Sequence, residues 1–401
     1  MVDPTDQSVI PTRANQSAGV RVALAHDWLV ARRGGELVLD AIATQLMNSG
    51  SQISTIYTMF DSGKPITPAI DAIDRRTSSL NSLPSPLRRW LLPRYPKAVE
   101  QLTKALHQDY HNSPIDILIS TSSAAIKSLN PPPGVPHLCY CHAPARYLWS
   151  QSEQYTSTPG FKSRLRAAGL DYYGDRLREW DQRTASHVTQ FIANSNFIAS
   201  EIQNTYNRDA LVIHPPVRTD YFVPADSPRQ ERLLYVGALE PYKRVDLAIQ
   251  AAASLNIPID IAGTGSHESV LKSQASELDP KNHIATFHGH VSDEKIRELY
   301  QTRLALIQPQ IEDFGITAVE AQACGCLVIA RRAGGSLDSI VESRTGAFFD
   351  LPETDELAHV LKKLIAAGIT QRMHDDCRSN ALRFSYEAFN QKLNAVMSSH
   401  I

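Results

Sequence analysis

The chain has 401 residues, of which 42% are hydrophobic and 20% are charged, and its formal net charge is −2. A chain of this length exceeds one ordinary hydrophobic core and predicts two domains, while the composition excludes the disordered and fibrous classes. The small net charge supplies no field that would attract a nucleic acid, so we expect no nucleic-acid partner.

The five cysteines indicate a reducing compartment, because an odd number in a long chain argues against a disulfide framework. Two pairs are spaced two residues apart, Cys139 with Cys141 and Cys324 with Cys326. Metal ligands are usually spaced more widely, so we interpret these cysteines as small buried residues and keep a metal site as the less favoured alternative. We therefore expect a cytoplasmic protein.

The first 19 residues contain no apolar run that would suit a signal peptide, and we predict a disordered tail over 1–19. No later window approaches the roughly 20 apolar residues that a membrane span needs. Any contact with a membrane would therefore be made from its surface.

The first half of the chain has the pattern of a parallel sheet. A strand is predicted over RVALAH, from Arg21 to His26, and Gly34 and Gly35 follow it before a helical pattern from Leu37. Further strand-like runs, ISTIYTM, IDILIS, HLCYC and QFIANS, alternate with helical stretches. This alternation predicts a Rossmann-like domain over residues 20–214.

The pattern is interrupted and then begins again. A proline-rich stretch over 215–230 predicts an interdomain linker. Strand-like runs then alternate with helical stretches over 231–384, which predicts a second Rossmann-like domain. We expect a last helix over 385–401 to pack back on the first domain. Because α/β sheets bind ligands at the carboxyl ends of their strands, the cleft between the domains is the predicted site.

The segment IEDFGITAVEAQACG follows a buried strand and opens a helix. Glu312 lies in the loop and Glu320 in the helix, with seven residues between them, so the two carboxylates can contact different parts of one elongated ligand. The spacing alone leaves open that both only interact with the helix dipole. Four backbone N–H groups near the helix start favour a phosphate, those of Phe314, Gly315, Ile316 and Thr317.

This segment, with the apolar strand and the pair Gly334 and Gly335 that follow it, resembles the GT-B glycosyltransferases of family four. The resemblance extends from about Arg21 to the C-terminal helices. It implies an α/β, GT-B architecture of two Rossmann-like domains with a cleft between them, and sugar transfer with retention of configuration. It also implies that Glu312 contacts the hydroxyls of the donor sugar and Glu320 the ribose.

A second segment, YVGALEPYKRVDLAI, ends a strand at Gly237 and places Lys243 and Arg244 at a helix start. Cations there would neutralise the diphosphate and stabilise the leaving group. The family usually has an arginine directly after this glycine, where this chain has Ala238. Lys243 is therefore the main candidate and Arg244 a possible substitute, and a solvated basic pair is the alternative.

Two features of the first domain resemble the same family. Gly34 and Gly35 match its donor-facing loop, which favours phosphate or acceptor contact over a plain turn. The segment CHAPARY resembles the His-Thr-Pro-Met-Arg-Tyr segment of its bacterial mannosyltransferases. The resemblance implies that His142 contacts the donor sugar and that Arg146 lies near an anionic part of a substrate, with Tyr147 as a second acceptor candidate. A structural histidine is the alternative.

Residues 75–104 combine arginines and lysines with aromatic and aliphatic side chains. Such a surface can lie on an anionic membrane and bring the enzyme to a lipid-linked acceptor, although an ordinary solvated loop and helix explains the composition equally well. If the membrane contact exists, the protein is peripheral on the inner face of the plasma membrane.

The segments together predict a retaining hexosyltransferase of family four, closest to its GDP-mannose-dependent branch, acting in cell-surface polysaccharide or glycolipid synthesis. No Asp-x-Asp pair ends a strand, so we expect no metal and no cofactor beside the nucleotide sugar. The acceptor would be a saccharide or a lipid-linked molecule. Two alternatives stay open: a GT-B nucleotide-sugar epimerase, and a catalytically silent nucleotide-sugar-binding protein for which Ala238 is the best argument.

Overall fold

The structure, a computed structural model, describes residues 19–83, 91–149 and 161–401. It contains two sheets of parallel strands, each with helices on its faces. This arrangement confirms the predicted pair of Rossmann-like domains. The tail expected over 1–19 lies outside the described residues except for Gly19.

The first sheet has seven strands in the order β3-β2-β1-β4-β5-β6-β7. Its central strands are buried on both faces, which is why they read as continuous apolar runs in the sequence. The strands are β1 Arg21–Leu29, β2 Gln52–Asp61, β3 Arg75–Thr77, β4 Ile117–Ser122, β5 His137–Cys141, β6 Gln190–Ala193 and β7 Ala210–Val212.

Five α-helices of the described residues accompany this sheet. The last of them begins with a side-chain cap, because Ser195 Oγ accepts the Ile198 N–H at 3.1 Å. The helices are α1 Gly34–Asn48, α2 Pro68–Asp71, α3 Tyr95–Asn112, α4 Phe161–Thr184 and α5 Asn196–Tyr206.

The second sheet has six strands in the order β10-β9-β8-β11-β12-β13. The strands are β8 Gln230–Val236, β9 Ile259–Ala262, β10 Ala285–Gly289, β11 Arg303–Gln308, β12 Leu327–Arg331 and β13 Gly346–Phe349. The helices that follow the linker are α6 Val245–Leu255, α7 Glu268–Leu278, α8 Asp293–Thr302, α9 Ile316–Ala323, α10 Ser336–Ser339, α11 Thr354–Ala367, α12 Gln371–Leu382 and α13 Tyr386–Ser398.

The chain passes between the domains twice. The first passage runs from the end of β7 at Val212 to the start of β8 at Gln230. The second follows α12, after which α13 buries Phe389, Leu393 and Met397 in the core of the first domain. The C-terminal helix is therefore part of the first domain's packing, although it follows the second domain in sequence.

The strand order reverses in the same way in both sheets, between β1 and β4 and between β8 and β11. Doubly wound sheets bind ligands in the crevice at such a reversal, outside the carboxyl ends of the strands. In none of the described ranges is a helix both long and apolar enough to cross a membrane.

Candidate functional site

The loop that carries Glu312 connects β11 to α9 and is supported by the pair Gly334 and Gly335. The Gly335 N–H donates to the Glu312 carbonyl at 2.8 Å. Gly334 has φ +70°, and a side chain at this position would collide with the same carbonyl. The glycine pair is therefore required for the close approach that fixes the Glu312 backbone.

The Glu312 carboxylate is held by two donors. Its Oε1 accepts a hydrogen bond from Lys243 Nζ at 2.5 Å and another from Gln310 Nε2 at 2.6 Å. Lys243 ends a short 3₁₀ helix, Pro241–Lys243, after β8, so two segments distant in sequence meet at one oxygen. Oε2 takes no part in these two bonds. Gln310 belongs to none of the motifs that the sequence indicates, because its contact with Glu312 depends on the fold of the loop.

The start of α9 presents backbone donors to the cleft. Gly315 has φ +87° and precedes Ile316, the first residue of the helix. The N–H groups of a first turn have no acceptor within the helix, so those of Ile316 and Thr317 suit an anion. The Thr317 hydroxyl accepts from Gln308 Nε2 at 2.8 Å. The Phe314 side chain is buried in the core of the second domain, and the predicted role of its N–H group stays a prediction.

Glu320 lies one turn further along α9 and is partly buried. Burial raises the pKa of its carboxyl to about 7, although the charge of Arg218 and a hydrogen bond from Tyr300 act in the opposite direction. The Tyr300 hydroxyl is 3.4 Å from Glu320 Oε2. At neutral pH this carboxyl is therefore close to its midpoint of ionisation.

The loop after β8 lies against the loop after β9. The Gly237 N–H donates to the Ala262 carbonyl at 3.0 Å, and a side chain at Gly263 would collide with the Gly237 carbonyl. Ala238 is exposed at this loop. Gly263 thus contributes to the shape of the site. In the sequence, the feature that indicates this role is a glycine directly after a predicted strand.

Arg244 follows Lys243 but is directed elsewhere. It has φ +50° and precedes α6, and its guanidinium pairs with Asp246 at 3.1 Å. Its side chain is 40% exposed. Among the two predicted cations of this segment, Lys243 alone contacts Glu312 in this structure.

His142 directly follows β5 and faces α1. Its Nε2 is buried and has no hydrogen-bond partner among the described residues. Burial, together with the neighbouring His26 and Arg146, lowers the pKa of His142 to about 3, so the ring is neutral at physiological pH. A side-chain carbon at Gly35 would lie 3.5 Å from His142 Nε2. The backbone of α1 at Gly35 therefore approaches the imidazole edge that carries Nε2.

Gly34, the first residue of α1, lies close to the second domain. A side-chain carbon at Gly34 would lie 3.7 Å from Ile316 Cδ1, across the cleft. The N-termini of α1 and α9 thus face the same space, and each carries a partial positive charge of roughly half a unit. An anion in this space would be stabilised by both helix ends.

The two acceptor candidates have protein partners. Arg146 forms an ion pair with Asp313 of the second domain. Tyr147 packs edge-on against Tyr95, with 6.3 Å between the ring centroids. In this structure Arg146 connects the domains, next to Glu312.

Asp27 makes the first domain's side of the cleft rigid. Its carboxylate accepts the backbone N–H groups of four successive residues, 123–126, at 2.7 to 2.9 Å. These residues form the loop after β4. A carboxylate with this many charge-assisted hydrogen bonds holds the loop beside His26 in place.

The basic segment over 75–104 is described in part, since residues 84–90 lie outside the described ranges. Arg75 pairs with Asp61 at 3.1 Å and Arg76 with Asp109 at 3.0 Å, so these two charges are compensated. Arg94 and Lys97 are exposed. Membrane contact through this segment stays a prediction.

The described residues contain no group of three His, Cys, Asp or Glu side chains that could hold a metal ion. All five cysteines are buried free thiols, as expected from their interpretation as small buried residues.

Two family models match the chain. Residues 32–221 match the model described as Glycosyltransferase Family 4, and residues 218–384 match the model described as Glycosyl transferases group 1. Together they account for residues 32–384, and the chain belongs to the glycosyltransferases of family four.

Curated relatives include D-inositol 3-phosphate glycosyltransferases. The protein from Mycobacterium sp. (strain KMS) is 28% identical over 207 residues, 47% of each chain. The one from Arthrobacter sp. (strain FB24) is 25% identical over 360 residues, 82% of this chain and 81% of that protein. The chain thus spans about half the length of the Mycobacterium relative.

Solved structures with similar folds cover nearly the whole chain. The sucrose-phosphate synthase of Thermosynechococcus elongatus has a TM-score of 0.74 at 17% identity and covers 95% of this chain and 98% of that one. The Anabaena protein HepE in complex with UDP has a TM-score of 0.69 at 16% identity and covers 95% and 100%. These similarities confirm the GT-B fold.

Proposed function

We propose that this protein is a retaining, metal-independent glycosyltransferase that moves a hexosyl group from a nucleotide sugar to a saccharide or lipid-linked acceptor. The nucleotide and sugar would bind to the second domain and the acceptor to the first. The observation that carries the proposal is the Glu312 carboxylate, whose Oε1 is held by both Lys243 and Gln310 while Oε2 takes part in neither bond.

A donor would bind along the loop from Glu312 to Glu320. Glu312 Oε2 accepts a hydrogen bond from a hydroxyl of the donor sugar, and Glu320 accepts from the ribose. The diphosphate lies between them, at the first N–H groups of α9 and opposite the start of α1. This order matches a ligand that is polar at both ends and anionic in the middle.

Charge develops on the diphosphate as the sugar bond breaks, and the proposal assigns its stabilisation to Lys243 and the two helix N-termini. Groups placed in advance where charge develops lower the barrier more than they strengthen ground-state binding. Lys243 is 15% exposed. The charge therefore acts in surroundings that are drier than bulk water.

His142 is proposed to orient the reacting sugar from the first domain. A neutral imidazole whose Nε2 is buried and unpaired can exchange a hydrogen bond with a sugar hydroxyl. Its role is binding and orientation, because a pKa of about 3 makes it a weak base at neutral pH.

We propose GDP-mannose as the donor, which the segments CHAPARY and EDFGITAVEAQACG favour. The names of relatives and structural neighbours point to other donors and acceptors, which therefore have to be compared. HepE was crystallised with UDP, and the relatives named above act on D-inositol 3-phosphate by their names. An acceptor in cell-surface polysaccharide or glycolipid synthesis, reached at the inner membrane face, completes the proposal.

The test is a panel of donors incubated with a mixed extract of lipid-linked and soluble acceptors. Labelled GDP-mannose, UDP-glucose and UDP-galactose would each be supplied, and incorporated label and free products would be measured. Label incorporated from GDP-mannose alone is the expected result. Incorporation only from a UDP-sugar would refute the donor, recovery of an epimerised donor would favour the epimerase, and binding without turnover would favour the silent protein.

A further inference from the structure

Two acidic residues of the second domain are held by the first domain. Asp313 directly follows Glu312, and it forms an ion pair with Arg146. Asp338 lies in α10, and it accepts the Asn196 N–H at 2.7 Å and Asn196 Nδ2 at 2.9 Å. We call Asp313, Asp338, Arg146 and Asn196 the interdomain clamp.

The acidic residues of the clamp are held by further hydrogen bonds, and Asp338 is largely buried. The Asp338 side chain is 8% exposed and also lies 3.2 Å from His214 Nε2. Burial alone would raise the pKa of Asp338, but the hydrogen bonds from His214 and Asn196 hold it below its ordinary value. Ser195 Oγ donates to the Asp313 carbonyl at 2.5 Å. The start of α5 therefore contacts both acidic loops.

Both contacts act on the backbone directly after Glu312. Asp313 is its neighbour in the chain, and Asp338 lies three residues after Gly335, whose N–H donates to the Glu312 carbonyl. Arg146, in turn, lies four residues after His142. The clamp thus joins the loop that carries Glu312 to the loop that carries His142.

We propose that Arg146 and Asn196 are positioning residues that act through Asp313 and Asp338. They fix the direction of the Glu312 carboxylate relative to His142 when the domains are together, so that the donor sugar is presented to the first domain. Glu312 binds the sugar without the clamp but in several orientations. The catalytic effect rests on the proposed function, whereas the ordering of the loop does not.

The kinetic test compares Arg146→Ala, Asn196→Ala and their double variant with wild type. We expect kcat to fall at least tenfold in each single variant, while the donor Kd stays within threefold because three of the proposed donor contacts, Glu312, Lys243 and Glu320, lie in the second domain and are retained. Arg146→Lys should recover part of the rate, since it keeps the charge. The control is Asp376→Ala, which breaks an ion pair with Arg344 within the second domain and should change neither value.

Other results would overturn the proposal. If Arg146 binds the acceptor, Arg146→Ala raises the acceptor KM while Asn196→Ala has no effect. If the residues only stabilise the fold, the melting temperature falls and Arg146→Lys restores no rate.

A measurement without ligand separates the clamp from the proposed function. Hydrogen–deuterium exchange should be at least tenfold faster over residues 312–320 in the double variant than in Asp376→Ala. Faster exchange in a protein that transfers no sugar would support the clamp as an ordering device and refute the proposed function. Unchanged exchange would overturn the clamp, whatever the activity.

Discussion

The buried surroundings of Glu320 predict how strongly the stability of the protein depends on pH. Burial raises the pKa of this carboxyl from 4.5 to about 7, and the nearby Asp293 acts in the same direction. Glu320→Gln keeps the shape of the side chain and removes its titration. The substitution should therefore abolish one pH-dependent contribution to stability.

The direction in which stability changes with pH follows from the number of protons bound by the folded and the unfolded chain. Below pH 4.5 the carboxyl is protonated in the folded and the unfolded chain, and above about pH 7 it is ionised in both. Between these values the folded chain keeps a proton that the unfolded chain releases, so stability falls as pH rises. A shift of about 2.5 units at about 1.36 kcal/mol each gives at most about 3 kcal/mol.

The assay is thermal unfolding of wild type and Glu320→Gln between pH 5 and pH 8.5. About 2.5 kcal/mol of this falls between pH 5 and pH 8.5, so at about 2 to 4 °C per kcal/mol for a domain of this size the melting temperature of the variant should rise relative to wild type by about 5 to 10 °C across the range. Glu298→Gln is the control, because Glu298 is an exposed glutamate paired with Lys295. A difference between wild type and Glu320→Gln that does not change with pH would refute the raised pKa.

Three further predictions concern the proposed reaction. Glu312→Ala should lower transfer by orders of magnitude and leave the circular dichroism spectrum unchanged, because the carboxylate orients the donor sugar and supports no core. Lys243→Ala should lower kcat by an amount that corresponds to a rise of about 2.7 to 4 kcal/mol in the activation barrier, measured by steady-state kinetics with donor titration. Lys243→Arg should recover only part of the rate. Transfer should survive EDTA within twofold, since Lys243 and the helix N-termini are proposed to replace a metal.

Each of these has a contrary outcome. Most of the activity remaining in Glu312→Ala would show that the carboxylate is a structural helix-start residue. Lys272→Ala, which breaks an exposed pair with Glu268, controls for loss of a lysine, and an equal effect of the two lysine variants would refute a role in leaving-group stabilisation. Loss of transfer in EDTA that added Mg²⁺ restores would refute metal independence.

The sequence predicts most of the two sheets because their central strands are buried on both faces and therefore form continuous apolar runs. It does not predict β3 and β7, which contain three residues each and lie at the edges of the first sheet. Edge strands this short bury few side chains, so their residues lack the apolar pattern. They are formed because the neighbouring strand offers unpaired backbone groups.

Within the candidate site, local motifs predict roles for Glu312, Lys243 and His142, since each follows a predicted strand. They do not identify their partners. Asn196 and Asp338 are 142 residues apart in the chain, and neither belongs to a motif. Arg146 is predicted as a substrate contact, whereas its contact with Asp313 depends on how the domains meet. Contacts of this kind follow from tertiary structure, which a pattern in one segment does not contain.

Ala238 is the departure from the family pattern that most affects the chemistry. It removes one cation from the diphosphate region, and Arg244 does not replace it in this structure because its guanidinium pairs with Asp246. The remaining positive groups are Lys243 and the N-termini of α1 and α9, with roughly half a charge at each helix end. Because Lys243 is itself paired with Glu312, much of the positive charge that remains for a nucleoside diphosphate comes from the two helix ends. An arginine at position 238 is therefore dispensable if both helix ends face the ligand together. Since the two helices belong to different domains, the electrostatics of the site then depend on how the domains are placed relative to each other.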